Sequence, residues 1–144
     1  MKKSLRIASS LLLLAVLAGC PVPDDVTPGP GPTPITSELR VLIVHEQADK
    51  HKLPHQQVAI LSSTTIREYL DRKCVKETGD KPARRTWDQH TDVSRESEVW
   101  KKLMAQPRVS LPWIYIGNGT SGYSGPLPAN VEDVLTLLKK YGGE

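Results

Sequence analysis

Leu111-Pro112-Trp113-Ile114-Tyr115-Ile116-Gly117-Asn118-Gly119 is the stretch on which the fold turns. Four consecutive aromatic and β-branched residues predict a strand buried on both faces, and Gly117-Asn118-Gly119 supplies the turn chemistry that brings a chain back on itself. A short partner strand is expected around Gly122 to Gly125, making a hairpin. Downstream, Val131, Val134, Leu135, Leu138 and Tyr141 recur at helical spacing behind Asn130, an N-cap residue type. Glu132 and Asp133 stand in the first turn of that helix and Lys139 and Lys140 in the last, each matched to the local end of the helix dipole, and Gly142 can stop it.

Upstream, Leu39-Arg40-Val41-Leu42-Ile43-Val44 reads as another strand suited to the middle of an α/β sheet. Val58, Ile60 and Leu61 suggest a turn of helix broken near Ser62-Ser63. Ile66, Tyr69, Leu70 and Cys74 then fall on one face of a helix that Ser63 can cap. A weaker strand pattern covers Arg84 to Asp88, with Trp87 its only large apolar residue. Ser94 is read as opening a further helix, with Glu96 and Glu98 near its positive end and Val99, Trp100, Leu103 and Met104 as its buried stripe, before Pro107 ends it.

The resulting order is β-α-β-α-β-β-α, and with Leu111-Pro112 directly ahead of a core strand it resembles the thioredoxin fold over roughly residues 39–141. In that family the proline before this strand is cis and faces the active-site groove. The resemblance therefore implies that Pro112 is cis, and that Leu111 exposes backbone beside a groove able to receive an extended peptide. The chain departs from the family where the dithiol belongs. The segment after the first core strand reads His45-Glu46-Gln47-Ala48-Asp49-Lys50-His51-Lys52-Leu53-Pro54 and holds no cysteine. Disulfide exchange needs an attacking thiolate and a resolving thiol, so a non-redox domain is expected, with no catalytic residue.

Two other chemistries are carried by this part of the chain. His51 and His55 are four residues apart and, with Glu46, could begin a zinc or copper site in the His45 to His55 segment, although Pro54 between them disfavours a continuous helix. Cys74 could serve a single-cysteine redox role, against which stands its place on an apolar helix face, where free cysteines usually pack as small hydrophobes. Gly117-Asn118-Gly119-Thr120-Ser121-Gly122 lacks the lysine and following helix of a phosphate loop, and is read as a turn.

The start of the chain predicts its address. Lys2, Lys3 and Arg6 precede an apolar run from Leu11 to Leu17 that is too short to span a bilayer. Leu17-Ala18-Gly19-Cys20 resembles the lipobox of bacterial lipoproteins, which implies cleavage before Cys20 and acylation of its thiol, with palmitate-type chains anchoring the protein to a membrane. Residues 1–19 are thus expected to be a signal peptide. Residues 20–37, rich in proline and glycine, are expected to be a tether at about 3.1 Å per residue in polyproline geometry, and residues 38–144 the folded domain.

Cleavage also changes the charge. The formal net charge of +3 comes from 19 basic and 16 acidic residues, and three of the basic ones lie in the signal peptide, which leaves 16 of each. A neutral chain offers no electrostatic footprint for nucleic acid, so no nucleic-acid partner is expected. Taken together, the sequence predicts a lipid-anchored binding or scaffolding module of the cell envelope. It would carry no cofactor beyond the lipid on Cys20 and would meet an envelope protein or peptide. Pro21, standing where an aspartate would favour inner-membrane retention, points to the outer membrane facing the periplasm.

Overall fold

The computed structural model describes residues 38–144, so the Leu17 to Cys20 motif and the tether lie outside the described residues. The chain forms strand β1 (Arg40–His45), helices α1 (His55–Ser62) and α2 (Thr64–Lys73), and a small hairpin of β2 (Lys76–Glu77) and β3 (Lys81–Pro82). Strand β4 (Arg84–Asp88), helix α3 (Glu98–Met104), strands β5 (Trp113–Gly117) and β6 (Gly122–Pro126) and helix α4 (Val131–Gly142) follow. This is a mixed α/β fold. Among the described residues no helix is long and apolar enough to cross a membrane.

The main sheet has the order β4-β1-β5-β6, with β1 parallel to β4 and antiparallel to β5, and β5 antiparallel to β6. The two central strands are the two continuous apolar runs, because a strand covered on both faces has no solvent side to hold polar residues. All five residues of β5 are buried, as are Val41, Leu42, Ile43 and Val44. Registered neighbours share a face and alternate along the strand. Ile43 and its partner Thr86 line a hollow with Ile60, Ile66 and Leu70, which places α1 and α2 on that side, and α4 packs against both of those helices. Trp87, one position further along β4, meets Trp100 of α3 edge-on at 5.8 Å, which places α3 on the opposite side.

The caps follow local chemistry. Ser63 accepts the amide of Ile66 at 3.3 Å at the break between α1 and α2, and Asn130 accepts that of Asp133 at 2.9 Å at the start of α4. Helix α3 begins at Glu98, four residues later than the Ser94 start that the sequence predicts. The amide of Ser94 is taken by the Asp92 carboxylate at 2.9 Å and that of Glu96 by the Val93 carbonyl at 3.0 Å, so these residues are used in turns. The β2–β3 hairpin was not anticipated. Its turn uses Gly79 at φ 79° and Asp80 at φ 57°, left-handed conformations that glycine and aspartate tolerate better than most residues.

Candidate functional site

Strands β1 and β4 end, and β5 begins, on the same rim of the sheet, because β5 runs antiparallel to the other two. Three connections therefore meet there and enclose a cavity of about 660 Å³. Glu46, Asp49, Lys52 and Leu53 come from the loop after β1, Gln89 follows β4, and residues 106–112 form the far wall. The Leu111–Pro112 peptide bond is cis and sits at the head of β5 within that wall.

The far wall is held from beneath. The Tyr115 hydroxyl donates to the Gln106 carbonyl at 3.2 Å, and Arg108 donates to the Met104 carbonyl at 2.9 Å and lies 3.5 Å from the Tyr115 oxygen. Burial raises the Tyr115 pKa, so the phenol stays a neutral donor. Above these anchors Val109 projects into solvent, 72% exposed, the one large hydrophobic residue so presented among the described residues. The backbone groups of Val109, Ser110 and Leu111 make no backbone hydrogen bond among the described residues, and the Oε1 atom of Gln106 is buried without a partner. A wall with free backbone donors and acceptors, flanked by apolar side chains, can pair with an extended chain.

Neither thiol chemistry nor the His51 and His55 pair occupies this cavity. Cys74 ends α2, is 4% exposed, and its amide donates to Leu70 at 2.9 Å. Burial pushes its thiol up to about 12, which favours the neutral thiol over the reactive thiolate. His51 lies in a short 3-10 turn and His55 is the first residue of α1, with Leu53 and Pro54 extended between them, so the two share no helix. Both are exposed and line a shallow surface hollow with Lys50 and Leu53.

Glu46 keeps different company from that anticipated. It gathers with Asp88 and His90, with one ligand atom of each lying within 4.8 Å of the others, and no other such trio of His, Cys, Asp or Glu occurs among the described residues. The His90 Nε2 atom stands 3.3 Å from Glu46 Oε2, and the Gln89 side-chain Nε2 donates to the same oxygen. Asp88 accepts the amide of Gln47 at 2.7 Å on one oxygen and that of His90 at 2.8 Å on the other. These two bonds, the Gln47 one foremost, hold its carboxyl below the usual carboxylate range. Asp88 closes the weak strand pattern that the sequence shows from Arg84, and His90 lies two residues beyond it. The sequence signal that could have joined them to Glu46 is the expected neighbourhood of β1 and β4, since both residues sit at strand ends.

What fold and site define is a mixed α/β domain with a partly apolar groove at one sheet rim and a carboxylate-imidazole cluster on the edge of that groove. No family model, curated protein or solved structure matches the chain.

Proposed function

We propose that this chain is a lipid-anchored, non-redox thioredoxin-like module of the cell envelope that captures an extended segment of a partner protein in the groove beside Leu111 and Pro112. The groove itself carries the reading: a cavity of about 660 Å³ whose wall offers unpaired backbone at Val109, Ser110 and Leu111, with no cysteine in its lining. The thioredoxin-like assignment is supported by the order of elements. With α1 and α2 taken as one interrupted helix and the β2–β3 hairpin as an insertion, the order is β-α-β-α-β-β-α, and the parallel and antiparallel pairings of β1 bring its C-terminal end beside the cis Leu111–Pro112 bond.

Backbone pairing supplies affinity without regard to side chains, and Val109 with Leu111 supplies an apolar contact. Leu111→Arg, which places a charge on the groove wall, is expected to remove the main partners recovered by pull-down from envelope extracts, with a lowered melting temperature because Leu111 packs partly on the core. Identical partner sets would overturn the groove reading.

The anchor rests on Leu17-Ala18-Gly19-Cys20, with residues 20–37 as the tether that sets the domain away from the bilayer, at the periplasmic face of the outer membrane. Metabolic labelling with radioactive palmitate is expected to mark the wild-type chain and not Cys20→Ala. Equal labelling of both, or none of either, would count against the anchor and leave the groove reading standing.

A further inference from the structure

We infer that Glu46, Asp88 and His90 form a binding site for one first-row divalent metal ion of the zinc class at the rim of the groove. The three residues come from the ends of two parallel neighbours, β1 and β4, and reach one point only because the sheet pairs those strands. Their donors comprise two carboxylates and one imidazole, a mixture that suits zinc and its neighbours better than calcium or magnesium, which take oxygen. Donor atoms around one such ion, with bonds of about 2.0–2.2 Å, stand about 3–4 Å apart. The trio already lies within 4.8 Å, so small side-chain rotations close the remaining distance.

Two features prepare the site. Each oxygen of Asp88 accepts one backbone amide, which fixes the carboxylate and leaves a further lone pair on each oxygen, and ligand carboxylates are commonly oriented in this way. Separately, His45 stands opposite Asp88 in the β1–β4 register and so on the same face of the sheet, is 8% exposed, and has an Nδ1 atom buried with no hydrogen-bond partner. Buried polar nitrogens are rarely left unpaired. The unpaired nitrogen thus lies on the face of the sheet that carries Asp88. With three protein donors the ion keeps open positions, and since Glu46 also lines the groove, these positions can face an occupant's carboxylate or carbonyl.

The site stands independently of the groove reading. Its test uses the full chain, stripped of metal in mild detergent and titrated with Zn²⁺ by calorimetry and with Co²⁺ by visible absorption. One equivalent is expected to bind saturably to wild type, with d–d bands stronger than and shifted from those of hydrated Co²⁺. His90→Ala changes a side chain that is 76% exposed and is expected to leave the fold intact, yet to weaken binding by at least about tenfold. Asp88→Asn is expected to do the same, and a His51→Ala/His55→Ala double variant to bind like wild type. No saturable binding by wild type would leave Glu46 and His90 as a side-chain contact only and overturn the inference. Equal binding by wild type and His90→Ala, or loss of binding in the His51→Ala/His55→Ala variant alone, would overturn it as well.

Discussion

Trp100→Ala is expected to cost about 3–5 kcal/mol of folding stability, a large share of the margin available to a domain of this size. Trp100 is 1% exposed and fills the space between α3 and the sheet, meeting Trp87 edge-on at 5.8 Å. Its indole also sits under the Arg85 guanidinium at 4.8 Å and donates to Glu77 Oε1 at 3.0 Å. That carboxylate is held by Arg40 at 2.5 Å and Arg85 at 2.6 Å, so the indole completes a partly buried network of one acid and two arginines. Truncation to alanine opens a cavity and removes a donor from a half-buried carboxylate at once. Trp100→Phe retains most of the ring and is expected to lose less, about 1–2 kcal/mol, chiefly from the missing N–H. Urea denaturation measures both, read at an unchanged slope so that the midpoint reports stability. A loss below about 1 kcal/mol for alanine would mean that the α3 interface contributes little to the fold.

The second large effect concerns Cys74. Burial raises its pKa from the ordinary 9.0 to about 12. At pH 8 the reactive thiolate is therefore scarcer by about a thousandfold than in an unfolded chain, before any steric protection is counted. Native protein treated with a maleimide and analysed by mass spectrometry of the Cys74 peptide is expected to react at least about a thousandfold more slowly than protein in denaturant. Complete labelling within minutes under native conditions would return the single-cysteine redox reading to contention. The same shift sets a pH dependence. Because the folded pKa lies above the unfolded one, the stabilisation from the protonated thiol is fully present below pH 9.0 and is lost as pH rises toward about 12. Burial moves the phenols of Tyr69, Tyr115 and Tyr123 in the same direction, so Cys74→Ala is expected to flatten only part of the alkaline loss.

The elements that could be read without a structure are those whose signals are local. The run from Trp113 to Ile116 and the turn at Gly117 announce β5, the Asn130 cap and the apolar repeat after it announce α4, and both stand where the pattern puts them. Ser94 misled because its neighbours compete. The Asp92 carboxylate accepts its amide and holds the chain in turns for four further residues. The β2–β3 hairpin escaped notice because strands of two residues have no periodicity, although Thr78-Gly79-Asp80 was a usable turn signal. Strand β4 was weak in sequence because it is an edge strand, with the pattern of a partly exposed surface.

The cis Leu111–Pro112 bond was expected from the resemblance, which rests on a motif contiguous with the strand it precedes. Spacing along the chain pairs His51 with His55, while the fold gathers Glu46 with Asp88 and His90 across the sheet, a proximity that spacing does not show. By itself, then, the sequence determined the central strands, the terminal helix, the lack of any paired thiol in the domain and the expectation of a lipid anchor. Each of these depends on neighbouring residues or on simple absence. The tertiary structure alone decided that residues 106–112 wall a groove and that an acid after β1 lies beside a histidine after β4. Those outcomes depend on which strands pair and in what register, a long-range choice made by burying both faces of β1 and β5, and no local pattern encodes it.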